Sequence, residues 1–421
     1  MARILFALIP EKGHINPYVG PAQVLHALGH EVAFYALQDI SPQLKAAGFD
    51  RFFPGSAANP PPPYANRGKL FAEKVRDADW LRNWIKTLLV DNVPPQVDVL
   101  RGIVRKYRPD VLAIDSMVYQ AAIVAETEKI PYAGLSSSLN PVADRSFVSE
   151  LTETVRWLSP ARDALFAAYG LTAEFRVCDV VSPWVNTVFT TEAFLKPDDP
   201  PLQTFLVGPS IPPYARGDER EFPWKRFRRP VIYMSLGSQV YYQPRAFRCI
   251  IDAVRGRDVQ LVLSVNELLG TDVLGELPPN VLAVHYTPQL RLLNRVKAMI
   301  THGGANSVME ALAAGVPLLI HPICNDQPFQ AQVVESSGVG RRIDLDRATP
   351  AEAWAAIEAL LASDSPHRAA AARVRDSYRA SDGSGITALL IHGLARRRRP
   401  ILRRPGDSPT LTVASAERLL A

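Results

Sequence analysis

Residues 301–327, THGGANSVMEALAAGVPLLIHPICNDQ, interleave a histidine, glycines, amides, hydroxyls and carboxylates with two apolar runs. A surface helix would keep its polar residues on one face with a helical period. Here they cluster just after two strand-like runs, KAMIT at 297–301 and VPLLIHP at 316–322. The stretch therefore predicts a site at the carboxyl ends of strands.

The bulk composition sets limits on the class of protein. A chain of 421 residues exceeds what one hydrophobic core usually serves, so we expect two domains. With 47% hydrophobic and 21% charged residues, the chain is folded and not disordered throughout. Three cysteines without a CxxC spacing argue against a disulfide framework and a zinc site, and fit a reducing cytoplasm. The first residues, MARILFALIP, predict a strand and not a signal peptide, and no apolar run approaches the ~18 residues of a membrane span.

The positive charge is confined to the end of the chain. Residues 393–421 contain seven arginines against Asp407 and Glu417, which accounts for the whole formal charge of +5. A run such as RRRRPILRRP could contact nucleic acid or anionic lipid weakly. A proline-containing charge run is more typical of a solvated, disordered end, and we expect a disordered basic tail with no nucleic-acid function.

Strand-like and helix-like patterns alternate along the rest of the chain. This alternation predicts an α/β fold with parallel sheets and crossover helices. A proline-dense, charged change of composition near residues 195–229 divides two such series and is the best linker candidate. We therefore predict a first domain at 1–207, a linker at 208–229, a second domain at 230–392 and the tail at 393–421.

In open parallel sheets, ligands bind outside the carboxyl ends of the strands. In the second half these ends are GSQ at 237–239, HYTPQ at 285–289, HGGANS at 302–307 and CNDQ at 324–327. The glycines after His302 allow close backbone approach, and a helix beginning near Ser307 would point its free N–H groups at a ligand. An anion, most simply a phosphate, fits there. The alternative is a ligand-free capping box between Ser307 and Glu310.

Two strand ends of the first half carry a candidate catalytic pair. His14 lies in PEKGHINP after the first strand, where Asn16 and Pro17 predict an N-cap and N1 pair that leaves His14 in the loop. Asp115 ends the strand-like run VLAID. If the two strands are neighbours, the carboxylate would orient the imidazole and make it a general base. A lone loop histidine is otherwise more often inert.

These residues resemble the family 1 nucleotide-sugar glycosyltransferases, which include bacterial macrolide-type enzymes, over about residues 1–392. The family pattern of tryptophan-Ala-Pro-Gln, His-x-Gly-x-Asn-Ser, Glu, Gly-Val-Pro and Asp/Glu-Gln appears here as YTPQ, HGGANS, Glu310, GVP and DQ. The resemblance implies that the diphosphate is bound by Ser238, His302, Gly304, Asn306 and Ser307, and the base and ribose by Tyr286, Gln289 and Glu310. It implies that the sugar is bound by Asp326 and Gln327, and that the catalytic pair is His14 with Asp115.

The resemblance also implies two facing Rossmann-like domains, the GT-B type, with the last helix packing back on the first domain. The implied reaction is inverting transfer of a hexose, glucose first, from a UDP-sugar to an acceptor hydroxyl. Tyr286 stands where the family has a tryptophan that stacks on uracil, so a dTDP-sugar is the alternative donor. No cofactor and no metal are expected, and we interpret the Asp-x-Asp triplets at 77–79 and 344–346 as chance.

Other classes fit less well. A nicotinamide oxidoreductase would place its glycine fingerprint after the first strand, whereas GSGITA at 383–388 follows no strand. A nucleotide-sugar epimerase and a non-catalytic nucleotide binder share the architecture. The acceptor pocket is expected around residues 61–71, 80–88 and 136–141, which suits a hydrophobic hydroxylated molecule such as a polyketide, flavonoid or carotenoid-like compound.

Overall fold

The first half of the chain forms a seven-stranded parallel sheet. The structure is a computed structural model that describes residues 1–55 and 69–420, so most of the predicted acceptor stretch at 61–71 lies outside the described residues. The sheet has the strand order β3-β2-β1-β4-β5-β8-β9, and β6 and β7 form a separate antiparallel pair. The strands are β1 (Arg3–Ala7), β2 (Glu31–Ala36), β3 (Phe52–Pro54), β4 (Val111–Asp115), β5 (Tyr132–Ser136), β6 (Phe175–Arg176), β7 (Asp179–Val180), β8 (Val185–Val188) and β9 (Thr204–Leu206).

Helices cover both faces of this sheet, as parallel strands require. They are α1 (Lys12–Ala27), α2 (Ser41–Ala46), α3 (Lys69–Lys74), α4 (Ala78–Lys86), α5 (Pro94–Tyr107), α6 (Tyr119–Thr127) and α7 (Glu150–Ala167). A π-helical turn, Thr87–Asp91, extends α4. The central strands β4 and β5 are fully buried, which explains why their sequences are continuous apolar runs and not alternating ones.

The second half forms a six-stranded parallel sheet with the order β12-β11-β10-β13-β14-β15. Its strands are β10 (Val231–Ser235), β11 (Gln260–Ser264), β12 (Val281–Val284), β13 (Val296–Thr301), β14 (Leu318–Ile320) and β15 (Gly340–Arg342). Its helices are α8 (Pro244–Val254), α9 (Gln289–Leu293), α10 (Ala305–Ala313), α11 (Gln327–Ser336), α12 (Pro350–Leu361) and α13 (Pro366–Arg379). The predicted fold of two parallel-sheet α/β domains is confirmed, and we call them the first and second domain.

The end of the chain returns to the first domain. Helix α14 (Gly383–Arg397) packs along α1, and α15 (Val413–Leu420) packs on α14. Between these helices Ile401 and Leu411 are buried, and the backbone N–H of Leu411 donates to Leu206 O at 2.8 Å. The prediction of a disordered tail at 393–421 is therefore wrong. The backbone of the tail bonds β9 at Leu206 and the first domain at Trp184, contacts that the arginine-rich composition does not reveal.

Two further sequence features have a definite outcome. All three cysteines are free and buried, so they form no disulfide. Within residues 1–55 and 69–420, no helix combines the length and apolar character that a bilayer span requires.

Candidate active site

A cleft of about 550 Å³ lies where the carboxyl ends of the two sheets face each other. The loops after β1, β4 and β5 line it from the first domain, and the loops after β10 to β14 line it from the second. It contains every residue predicted for the site apart from Asp115, which lies behind His14. Strand-end placement thus brings the predicted residues together from positions up to about 300 apart in sequence.

His14 and Asp115 form a close pair in the first domain. Strands β1 and β4 are direct neighbours, with Ala7 paired to Ile114. The His14 Nδ1 atom lies 2.7 Å from Asp115 Oδ2, and Ser137 Oγ lies 3.0 Å from the same nitrogen. Because Nδ1 faces the carboxylate, Nε2 is the ring nitrogen left for the cleft.

The carboxylate of Asp115 is fixed on both oxygens. Its side chain is buried, the Tyr18 hydroxyl is shared between Leu135 O at 2.8 Å and Oδ2 at 3.1 Å, and the backbone N–H of Met117 donates to Oδ1 at 3.1 Å. Burial by itself would lower the pKa of His14, but the charge and hydrogen bond of Asp115 raise it to about 9, with a smaller effect from Glu11. The pair therefore stabilises the imidazolium that forms when His14 accepts a proton.

The predicted helix start at Asn16 and Pro17 is wrong. Helix α1 begins at Lys12 with Glu11 as its N-cap, which places His14 in the first helical turn and not in a loop. Proline is common at the first helical position, so the Asn-Pro pair suggested a cap. Here Pro17 lies inside the helix.

The prolines inside α1 release carbonyls that other segments use. Proline has no N–H, so Pro17 cannot bond Gly13 O and Pro21 cannot bond Pro17 O. Asn306 Nδ2 of the second domain donates to Gly13 O at 3.1 Å, and Ser210 Oγ donates to Pro17 O at 2.5 Å. The two prolines therefore allow the helix that carries His14 to bond the second domain and the linker.

The ring of His302 lies between two glycines at the end of β13. A Cβ atom built on Gly237 would come within 2.7 Å of the imidazole, and one on Gly304 within 2.6 Å. Burial lowers the pKa of His302 to about 4, so the ring is neutral at neutral pH. Gly237 and Gly304 therefore leave room for the imidazole itself, which carries no charge at neutral pH.

Helix α10 begins at Ala305, and its N-cap is Gly304, which contributes no side-chain cap. Asn306 and Ser307 lie in its first turn and line the cleft together with Ser238. The capping-box alternative is wrong, because Ser307 is the third helical residue and not the cap. The N–H groups of the first turn are thus available to an anion.

Glu310 belongs to a buried polar network that reaches the linker. Arg216 Nη1 donates to Glu310 Oε1 at 2.6 Å, and Gln289 Nε2 donates to Glu310 Oε2 at 2.8 Å. Asp218 holds the other side of the guanidinium at 2.5 Å, and Tyr233 Oη donates to Gln289 Oε1 at 2.9 Å. This network fixes the orientation of the Glu310 carboxylate at the edge of the cleft.

The remaining predicted residues, Asp326 and Gln327, line the cleft after β14. Asp326 is the N-cap residue of α11, and burial raises its pKa to about 6. Gln327 Oε1 accepts the backbone N–H groups of Ile323 at 2.8 Å and Cys324 at 3.1 Å. Its amide therefore holds the shape of the preceding loop, because Nε2 also donates to Cys324 Sγ at 3.8 Å.

Comparison with known proteins identifies the class of enzyme. Residues 248–384 match the family described as erythromycin biosynthesis protein CIII-like, C-terminal domain. The NDP-glycosyltransferase YjiC of Bacillus subtilis (strain 168) is 26% identical over 357 residues, covering 84% of this chain and 87% of that protein. The chain is a glycosyltransferase.

Further relatives agree with this assignment. The demethyllactenocin mycarosyltransferase of Streptomyces fradiae is 26% identical to this glycosyltransferase over 420 residues, covering 94% of this chain and 87% of that protein. The crystal structure of the glycotransferase of kitacinnamycin superposes with a TM-score of 0.73 at 26% identity, covering 93% of this chain and 98% of that one. The sequence-based assignment to GT-B glycosyltransferases is confirmed. GSGITA at 383–388 opens α14 after a helix, so the oxidoreductase alternative has no support.

Sequence reasoning missed several residues of the site. Tyr18 lies one helical turn after His14 in GHINPY, a spacing that could have revealed it once the helix start was known. Ser137 lies in the predicted acceptor stretch at 136–141, but its contact with His14 Nδ1 was not predicted. Arg216 carried no signal, because an arginine among prolines and acidic residues in a linker is typically solvated.

Proposed function

We propose that this glycosyltransferase moves a hexose, glucose first, from a UDP-sugar to a hydroxyl of a hydrophobic small molecule with inversion at the anomeric carbon. The observation that carries the proposal is the His14–Asp115 pair at 2.7 Å, facing the first turn of α10 across one cleft. A general base on one side and an anion site on the other are what a direct displacement requires. A dTDP-sugar is the alternative donor.

In the proposed reaction His14 is the general base. Its Nε2 accepts the proton of the acceptor hydroxyl while that oxygen forms a bond to the anomeric carbon. The bond from the anomeric carbon to the phosphate oxygen breaks on the opposite face, and the nucleoside diphosphate leaves with the electron pair. Asp115 stabilises the resulting imidazolium, as its effect on the pKa of His14 supports.

Charge on the departing diphosphate is met by the second domain. The donors are the N–H groups of the first turn of α10, the ring N–H of His302 and the side chains of Ser238, Asn306 and Ser307, all of which line the cleft. One pre-oriented donor of this kind is worth roughly 3 to 4 kcal/mol in the transition state. The network around Glu310 would bind the ribose hydroxyls beside them, with Tyr286 under the base.

We also propose that transfer needs no metal ion. The Asp-x-Asp triplets that could suggest one have other partners: Asp77 caps α4 by accepting two backbone N–H groups, and Asp346 pairs with Arg76 at 3.1 Å. Of the carboxylates that line the cleft, Glu310 is held by Arg216. The proposal predicts full activity in the presence of a chelator.

Sugar selection is assigned to Asp326 and Gln327. Polar groups that bond a substrate hydroxyl reject an analogue lacking it, because the protein partner is then left unpaired. A fully hydroxylated hexose should therefore react faster than a deoxysugar.

The acceptor is assigned to the apolar side of the cleft in the first domain. Trp84, Ile85, Leu88, Met117 and Leu151 line it together with Ser137 and Ser138, and the Ser137 hydroxyl lies 3.0 Å from His14 Nδ1. An apolar wall with a few hydroxyls suits a hydroxylated polyketide, flavonoid or carotenoid-like molecule.

The test is mass spectrometry of the purified protein with a matrix of UDP-sugars and dTDP-sugars against a panel of such acceptors. We expect a mass gain of one hexosyl residue on at least one acceptor. Incubation without acceptor distinguishes the alternatives, because an epimerase would convert the donor alone. No transfer from any donor to any acceptor, together with donor conversion, would overturn the proposal.

A further inference from the structure

The side chain of Lys12 crosses the cleft from the first domain to the second. Lys12 is the first residue of α1, and its Nζ atom lies 3.5 Å from the centroid of the Tyr286 ring in the second domain. A cation on an aromatic face at this distance is a favourable contact. It occupies the face on which a nucleobase would stack.

Lys12 lies between the proposed diphosphate site and the proposed base site. The carbonyl of the next residue, Gly13, accepts a hydrogen bond from Asn306, which belongs to the first turn of α10 and to the proposed diphosphate site. The Nζ atom at the other end lies on Tyr286, the proposed base site. The side chain therefore lies along the path that a nucleoside diphosphate takes between these two sites.

The groups of the second domain at the proposed diphosphate site carry no free positive charge, although a diphosphate carries several negative charges. Burial lowers the pKa of His302 to about 4, and the guanidinium of Arg216 is paired with Glu310 and Asp218. Among the described residues that line the cleft, the cations without an ion pair to a carboxylate are Lys12 and Arg220. One of these is expected to meet the phosphates.

Lys12 is the better placed of these two cations. Its backbone is fixed in the first turn of α1 and bonded to the second domain through Gly13, and its side chain is half-buried. Arg220 is exposed on the linker, with its guanidinium carbon 6.0 Å from the Tyr286 ring. A lysine is also a suitable point charge for a phosphate.

We propose that Lys12 is a diphosphate ligand contributed by the first domain. When the nucleobase stacks on the Tyr286 ring, the ammonium of Lys12 leaves that ring and contacts the phosphates. This inference rests on the proposed nucleotide-sugar donor. It adds a cation to the leaving-group site from the same helical turn that carries His14. Donor binding would thereby fix the turn that positions the general base.

The inference predicts opposite effects on two ligands. Removing the ammonium should weaken binding of the diphosphate, because a charge-assisted hydrogen bond is lost. It should not weaken binding of the nucleoside, because the variant uncovers the ring on which the base stacks. A merely structural role for Lys12 would weaken both ligands alike.

The experiment measures the Kd of UDP, dTDP, uridine and thymidine by calorimetry for Lys12→Met, Lys12→Arg and the unaltered chain. For the better of the two diphosphates, Lys12→Met should raise Kd about tenfold or more, and Lys12→Arg should recover most of that loss. The nucleoside Kd should stay the same or fall. Lys74→Met is the matched control, since Lys74 lies over the Trp80 ring at 5.8 Å and does not line the cleft.

The outcomes separate this inference from the proposal beneath it. An unchanged Kd for the diphosphate in Lys12→Met, or equal losses for diphosphate and nucleoside, would overturn the role of Lys12. Binding of neither diphosphate by the unaltered chain would instead overturn the nucleotide-sugar donor.

Discussion

Replacing Asp115 by asparagine tests the general-base pair through the pH dependence of the rate. The pKa of His14 is raised to about 9 by the carboxylate, against the effect of burial. Only the neutral imidazole accepts a proton, so kcat/KM of the unaltered enzyme should rise about tenfold per pH unit up to about pH 9. At pH 7 only about one His14 in a hundred is neutral.

The asparagine variant should show a different profile. Without the carboxylate, burial dominates and the pKa of His14 falls toward or below its ordinary value of 6.5. At pH 9 the variant should be slower by about 10² to 10⁴, since the amide cannot stabilise the imidazolium. At pH 7 the deficit should be about 50-fold smaller, because the neutral fraction of His14 falls from about a half to about 1% in the unaltered enzyme, whereas most of it stays neutral in the variant.

The assay is kcat/KM from pH 6 to 10 with the best donor and acceptor from the screen. Tyr18→Phe is the control, because it removes the other side-chain hydrogen bond to Asp115 Oδ2 but keeps the charge, so its profile should still rise to about pH 9. The Kd of the nucleoside diphosphate should be the same in all three proteins. A ratio of the two rates that stays constant between pH 7 and 9 would refute the reasoning.

Three further predictions follow from other contacts. The double variant of His14→Ala and Asp115→Asn should lose little more turnover than His14→Ala alone, whereas multiplied losses in steady-state rates would show that the two residues act independently. Deleting residues 400–421 exposes the side chains packed against Ile401 and Leu411, two large buried apolar residues of the tail, and should cost ~3 to 6 kcal/mol, seen as a Tm lower by several degrees; an unchanged Tm would contradict the packing. His30 Nε2 lies 2.9 Å from His392 Nδ1, and burial lowers the pKa of both, so the stability that this pair contributes is present above pH 6.5 and is lost as the pH falls below it. Melting curves of His392→Gln should show a weaker loss of Tm between pH 7 and 5 than the unaltered chain; an equal loss would contradict the role of the pair.

Strand ends were the most predictable part of the site. The apolar runs before His14, Asp115 and His302 were read correctly as strands, and parallel strands place their carboxyl ends at one edge. The sequence did not show whether the strands that carry His14 and Asp115 are neighbours in the sheet. They are, because β1 pairs directly with β4, and His14 Nδ1 lies 2.7 Å from Asp115 Oδ2.

Predictions from local sequence preferences were wrong at two places where a residue distant in sequence makes the stabilising contact. Asn16 and Pro17 obey the preference for a helix start, yet α1 continues through Pro17 because Asn306 takes the carbonyl that the proline leaves unbonded. The tail obeys the composition of a disordered end, yet Leu411 pairs with Leu206 and is buried. In both cases the stabilising contact lies about 200 to 300 positions away.

The sequence by itself determined the two parallel sheets and the polar groups at their strand ends, because alternation, glycine placement and strand length act over a few residues and leave a readable pattern. Only the tertiary structure decided that Arg216 of the linker holds Glu310, and that Lys12 lies on Tyr286. A buried ion pair or a cation on a ring depends on how two domains face each other across the cleft. That orientation is set by the sum of many packing contacts, and no short stretch of sequence records it.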